Sequence, residues 1–145
     1  MVSLVIAAHG HLAEGLVASS AMIVGPSDDV VAVTFESSEG PDDLLAKYAA
    51  AVEGSPSQEH LILVDLFGGS PYNAAARFAA GREDADVVTG VNLPMLIEVL
   101  GGRLTGGTLA ELVEKARTAG AGGVKVLSEV FTPTTTDSDD EGDEL

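Results

Sequence analysis

Short, almost wholly apolar runs alternate along this chain with longer stretches in which apolar residues recur at helical spacing. Val2-Ser3-Leu4-Val5-Ile6-Ala7-Ala8 reads as a first strand buried on both faces, ending on His9-Gly10-His11. A helix follows over roughly Leu12 to Val24, with Leu12, Leu16, Ser19-Ser20 and Ile23 on one face and Gly25-Pro26 closing it. Asp28-Asp29 turns the chain into a second strand, Val30 to Phe35. Pro41 then opens a helix whose apolar stripe is Leu44, Leu45, Tyr48, Ala49 and Val52.

The third strand is the most informative. Leu61-Ile62-Leu63-Val64 is uninterrupted and apolar, and a carboxylate, Asp65, arrives where it stops. Gly68-Gly69 makes a tight turn, Ser70 is a good N-cap, Pro71 a good first helical residue, and an Ala-rich helix runs on from Asn73 to Ala80. Free N–H groups and the helix dipole then converge just after Asp65, a seat for an anion such as a phosphoryl group. An ordinary βα turn accounts for the glycines and the Ser equally well. Asp86 to Thr89 is a short fourth strand, Gly90 to Pro94 a loop, and Met95 to Leu100 a short helix ended by Gly101-Gly102. Thr108 and Glu111 form a capping box. Its helix buries Leu109, Leu112, Val113 and Ala116, Gly120 to Gly123 break it, and Val124 to Leu127 is a last strand.

Strands alternating with helices mean an α/β fold: a doubly wound, mostly parallel sheet of order 2-1-3-4, with helices on both faces. A length of 145 residues and an apolar fraction of 46% suit one domain with a real core, placed at 1–128. Residues 129–145 change character: Asp137 to Leu145 holds six acids and nothing apolar but its last residue, which predicts a disordered acidic tail. The chain has no Cys, no run of 18 apolar residues and no charged leader before an apolar segment, which points to a soluble, cytoplasmic protein. Net charge is −16, and −10 without the six acids of the tail. Nucleic acid and anionic membrane are poor partners for such a surface, whereas a basic protein is compatible with it.

Charge does not choose the chemistry; the strand ends do. In the 2-1-3-4 order strands one and three are neighbours, about 5 Å apart, and their carboxyl ends flank the switch point where ligands bind. His9 and Asp65 stand at those ends. The carboxylate would orient the imidazole and stabilise positive charge on it, leaving the other ring nitrogen as nucleophile beside the anion seat at Gly68 to Ser70. That is the equipment of a phosphoryl-accepting histidine. A metal held by His9 and His11, or a metal-assisted hydrolase adding Asp65, is a weaker reading, because a two-residue spacing with one obvious carboxylate is a poor ligand set. His11 and His60 read as solvated loop residues. Gly-x-Ser-x-Gly, Gly-x4-Gly-Lys-Ser/Thr and Gly-x-Gly-x-x-Gly after strand one are all absent, which argues against a serine hydrolase, ATP and a dinucleotide.

Four stretches carry a resemblance. Ala8-His9-Gly10 with Ala13-Glu14, Leu63 to Ala75, Gly90-Val91-Asn92-Leu93-Pro94-Met95-Leu96 and Gly123-Val124-Lys125 resemble the IIA component of the mannose family of the bacterial phosphoenolpyruvate:sugar phosphotransferase system (PTS), over about Val2 to Leu127. The resemblance implies that His9 is phosphorylated, that Asp65 hydrogen-bonds it, and that Gly69 and Ser70 hold the phosphoryl oxygens. Asn92-Leu93-Pro94-Met95 matches a loop flanking the site. It further implies that the protein HPr donates the group, that a IIB component accepts it, and that sugar is phosphorylated on entry through membrane components IIC and IID. A covalent phosphohistidine serves in place of any metal or cofactor. Members are homodimers whose last strand, here Val124 to Leu127, crosses antiparallel to the partner. Phe67 stands where some relatives carry Trp, and the chain ends in its acidic tail where others continue into IIB, so IIB is expected as a separate chain. The related branch serving dihydroxyacetone kinase lacks the Asp-Leu-Phe-Gly-Gly-Ser-Pro run and fits less well. A regulatory module of the same fold is the remaining alternative.

Overall fold

The computed structural model describes residues 1–131. Four strands, β1 (Val2–Ala7), β2 (Val30–Val33), β3 (Glu59–Val64) and β4 (Ala85–Thr89), form one sheet of order β2-β1-β3-β4 in which every pairing is parallel. The helices are α1 (Leu12–Val24), α2 (Pro41–Glu53), α3 (Ser70–Ala79), α4 (Leu93–Leu104), α5 (Leu109–Gly122) and the single turn α6 (Leu127–Val130). This is the doubly wound architecture expected from the alternation of elements.

The central strands are apolar throughout because both of their faces are covered. Leu4, Ile6, Leu61 and Leu63 pack with residues of α1, α4 and α5, while Val5, Ala7, Ile62 and Val64 pack with residues of α2 and α3. All eight are essentially fully buried, and each contributes on the order of 1.5–3 kcal/mol where the side chain is Val, Leu or Ile. The register pairs Ala7 with Val64, so β1 and β3 finish level. That alignment carries the next residues of both strands to one edge of the sheet.

Several local expectations are corrected. Ser70 does not cap α3; Gly69 is the N-cap and Ser70 the first helical residue. Helix α4 does not stop at Leu100 but runs through Gly101-Gly102, and α5 runs through Gly120. The reason is close packing of the α4–α5 pair. A Cβ on Gly102 would lie 2.9 Å from Leu112 Cδ2, and one on Gly120 would lie 2.6 Å from Met95 Cε. These glycines cost helix propensity, about 1 kcal/mol each, and the contact they permit offsets it. On α1 the inward face is Ala13 and Ser20, flanked by the partly buried Leu16 and Val17, and Leu12 and Ile23 are exposed. Apolar residues occupy almost every side of that helix, so periodicity alone does not choose the face.

The expected last strand is absent from the sheet. Among the described residues Val124–Val126 pair with no strand, Leu127–Val130 forms α6, and Val124, Val126, Leu127, Val130 and Phe131 are all exposed. The strand is expected to pair across a dimer, and the described residues of one chain offer its backbone groups no ladder. The domain boundary expected after residue 128 falls inside α6, and the acidic tail from residue 132 onward lies outside the described residues.

Two buried polar groups escaped the sequence reading. Arg103 is 8% exposed, and its guanidinium donates to the carbonyls of Val2, Asp28 and Asp29, tying α4 to the start of β1 and the turn before β2. His60 is a buried strand residue, 3% exposed, and not a solvated loop; its Nδ1 lies 2.7 Å from Ser3 Oγ on the paired strand. Burial lowers its pKa, and the nearby Asp84 offsets this only in part. The unfolded chain therefore binds more protons than the fold in this range. Stability contributed by neutral His60 is complete above its unfolded pKa, about 6.5, and is lost as pH falls from there through the lower folded value. Urea unfolding between neutral and mildly acid pH is expected to show that loss, with a shallower slope in His60→Gln; identical slopes would remove His60 as its source.

Candidate functional site

Asp65 follows β3 directly and His9 lies just past β1, so the level strand ends bring them together. Asp65 Oδ2 accepts two hydrogen bonds from His9, one from its backbone N at 2.9 Å and one from ring Nδ1 at 2.8 Å. A carboxylate can only accept, so the proton sits on Nδ1 and Nε2 presents its lone pair. The Asp65 side chain is 12% exposed and that of His9 is 49% exposed. The carboxylate is thus sheltered while the imidazole remains open to a reactant. Phe35 meets the imidazole edge-on, with ring centres 5.8 Å apart. Its backbone is held there by paired hydrogen bonds between Gly10 and Phe35.

The turn after Asp65 closes on the other side. Gly69 N–H reaches Leu66 O at 3.4 Å, and Gly68 has φ +86°, a conformation that side-chain-bearing residues rarely adopt. Gly69 lies against the imidazole: a Cβ there would be 2.9 Å from His9 Cε1 and 3.6 Å from Nε2. Helix α3 begins at Ser70 with Pro71 in its first turn, so its leading N–H groups have no intrahelical acceptor. Of the sequence-predicted residues, His9, Asp65, Gly69 and Ser70 therefore gather at one edge. Leu66 and Phe67 stand exposed on the same turn, with Phe67 leaning on Tyr72 at 4.8 Å between ring centres.

The remaining candidates fall elsewhere or have other work. His11 is exposed, but its Nδ1 lies 2.9 Å from Glu14 and its Nε2 2.9 Å from Glu36. Facing two carboxylates favours a proton on each nitrogen: the hydrogen bond to Glu14 first, and then the charge of Glu36, raises the His11 pKa. Among the described residues no group of three or more His, Cys, Asp or Glu is arranged to hold a metal. His60 sits at the opposite end of β3 from Asp65. In the loop after β4, Asn92 caps α4 by accepting from Met95 N at 2.9 Å and also donates to Gly120 O at 3.1 Å. This stretch is the joint between α4 and α5.

Sequence reasoning missed Tyr48. Its buried hydroxyl donates to Pro71 O at 2.7 Å and so fastens α2 to the first turn of α3. Burial first, and then the charge of Asp65, push its pKa up and keep the phenol neutral. A buried Tyr on a helical stripe looks like any core aromatic, so no pattern marked it. Asp65 Oδ1 is also buried, with no hydrogen-bond partner among the described residues.

Fold and site together define a small doubly wound domain built around one half-exposed histidine oriented by a carboxylate. The family described as the PTS system fructose IIA component matches residues 3–117. The fructose-specific EIIA component of Bacillus subtilis is 46% identical over 101 residues, 69% of each chain. The mannose-specific EIIAB component of Escherichia coli is 38% identical over 127 residues, 87% of this chain but only 39% of that longer protein. A crystal structure of the phosphotransferase system component EIIA from Streptococcus agalactiae superposes with TM-score 0.82 at 29% identity, covering 89% of this chain and 99% of the other. The chain belongs to the IIA components of the phosphoenolpyruvate:sugar phosphotransferase system, in their mannose, fructose and sorbose family.

The contact between Gly69 and the imidazole yields a direct test. Gly69→Ala is expected to keep the fold while displacing the His9 ring from Asp65, because the ring is the softer partner in a 2.9 Å collision. The nitrogen NMR signals of His9 should shift. Unchanged ring signals would mean the added methyl is accommodated without moving His9.

Proposed function

We propose that this protein is a phosphocarrier that accepts a phosphoryl group on His9 Nε2 from phosphorylated HPr and passes it to a IIB component, driving uptake and phosphorylation of a mannose-family sugar. The observation that carries the reading is the double hydrogen bond from His9 to Asp65 Oδ2, which occupies Nδ1 and frees Nε2. The Nε2 lone pair forms the new N–P bond as the N–P bond of the donor histidine breaks and its electrons return to the donor nitrogen. Positive charge that develops on the His9 imidazole is stabilised through Nδ1–H by Asp65. Gly69 and the Ser70 N–H and hydroxyl receive the phosphoryl oxygens at the start of α3, where the helix dipole favours negative charge. The second transfer reverses these steps onto IIB. The covalent intermediate needs no metal or other cofactor. Among the described residues no helix is long and apolar enough to cross a membrane. The carrier works in the cytoplasm on this reading and meets the membrane components only through IIB.

Incubation with labelled phosphoenolpyruvate, enzyme I and HPr tests the assignment. His9→Ala is expected to abolish an acid-labile, base-stable label, while His11→Ala and His60→Ala retain it; label that survives in His9→Ala overturns the role of His9. Asp65→Asn keeps a hydrogen-bonding shape without the charge, so transfer onward to IIB should slow by at least about tenfold. Wild-type transfer by that variant would leave Asp65 without an orienting role. A regulatory module would take the label and not hand it on to any IIB chain.

We further propose that the carrier is a homodimer. The apolar side chains of Val124, Val126, Leu127, Val130 and Phe131 stand exposed on a segment with no strand pairing among the described residues, which suits cover by a second copy. Sedimentation should give twice the chain mass, and Val126→Asp with Leu127→Asp should shift it towards the monomer. A wild-type monomer at micromolar concentration would refute the proposal.

A further inference from the structure

Asn73 lies in the first turns of α3, is exposed, and has no part in the chemistry above. Its backbone N–H donates to Gly69 O at 2.8 Å, and its side-chain Nδ2 reaches back to Gly68 O at 3.2 Å. The peptide whose carbonyl it holds joins two glycines. Little steric restraint keeps such a peptide from rotating its plane, because neither neighbour carries a Cβ. The other bond on that plane, Gly69 N–H to Leu66 O, is long at 3.4 Å and correspondingly weak. The Asn73 amide is therefore the stronger hold on its orientation.

Orientation matters because Gly69 is the residue lying against His9 Cε1 and Nε2. With the Gly68 carbonyl turned back onto α3, its partial negative charge is directed at Asn73. A rotated peptide would release that oxygen to the opposite side of the turn and remove an N–H from it. An incoming phosphoryl group is stabilised by N–H donors and repelled by carbonyl oxygens. We infer that Asn73 is a positioning residue: its side-chain amide locks the Gly68–Gly69 peptide, and so presets the backbone that receives the phosphoryl oxygens beside His9. The inference rests on the phosphoryl-accepting reading of His9 given above.

Three variants test it. Asn73→Asp is isosteric but cannot donate, Asn73→Ala removes the group, and Asn73→Gln keeps a donor on a longer arm. Single-turnover phosphorylation of the full chain by phosphorylated HPr separates the maximal rate from the carrier concentration giving half of it, and amide NMR follows Gly69. In the Asp and Ala variants the maximal rate should fall about tenfold, the equivalent of one ordinary hydrogen bond. The half-saturating concentration should stay unchanged, the Gly69 amide signal should move, and the His9 ring signals should stay in place. Asn73→Gln should recover most of the rate. A wild-type maximal rate in both donor-less variants overturns the inference, including when their melting temperature drops, since the bond would then be structural only. Loss confined to the half-saturating concentration also overturns it, because Asn73 would then touch the carrier. If the wild-type chain takes no phosphoryl group, the reading of the site falls and this inference with it.

Discussion

One carboxylate oxygen, Asp65 Oδ2, binds both the backbone and the ring of His9, and most of the architecture is a condition for that contact. Two strand ends must lie side by side and finish level, which the β1–β3 register supplies. A parallel pair of that kind needs helical crossovers, and crossovers on both faces require both central strands to be apolar on both sides. The unbroken runs in β1 and β3 are thus a requirement of the site as much as of the core. The second oxygen, Oδ1, is buried with no partner among the described residues.

Glycine serves two physical ends in this chain. In the turn before α3 it supplies a positive φ at Gly68 and the close approach of Gly69 to the imidazole. In α4 and α5 it removes side chains, so that Gly102 and Gly120 let the two helices meet Leu112 and Met95 closely. The α3 turn is further held from both sides, by Tyr48 on the Pro71 carbonyl and by Asn73 on the Gly68 carbonyl. Both ties hold backbone groups, which carry no net charge of their own to organise them.

The electrostatic setting is adverse to an anion at first sight. The chain carries −16 overall, and Asp65 adjoins the His9 ring. The nearby His11 is already shared between Glu14 and Glu36. Local backbone dipoles act over a few ångströms and would favour an anion at the start of α3. Surface carboxylates act over about a Debye length, about 8 Å at physiological salt, and so govern which protein surfaces approach. The two effects operate at different ranges and need not conflict.

What the sequence by itself determined is the order of elements, the doubly wound class, and the placing of His9, Asp65, Gly69 and Ser70 at one sheet edge. Unbroken apolar runs and turn residues are local signals, and a strand that ends in a functional side chain states its own position along the chain. Tertiary structure alone decided what depends on a partner distant in sequence. His60 and Arg103 became interior residues because Ser3 and three backbone carbonyls receive them. Gly102 and Gly120 became helix positions because a second helix packs there. Val124 to Leu127 has strand-forming side chains yet stays outside the sheet, since a strand exists only where another backbone offers its hydrogen bonds.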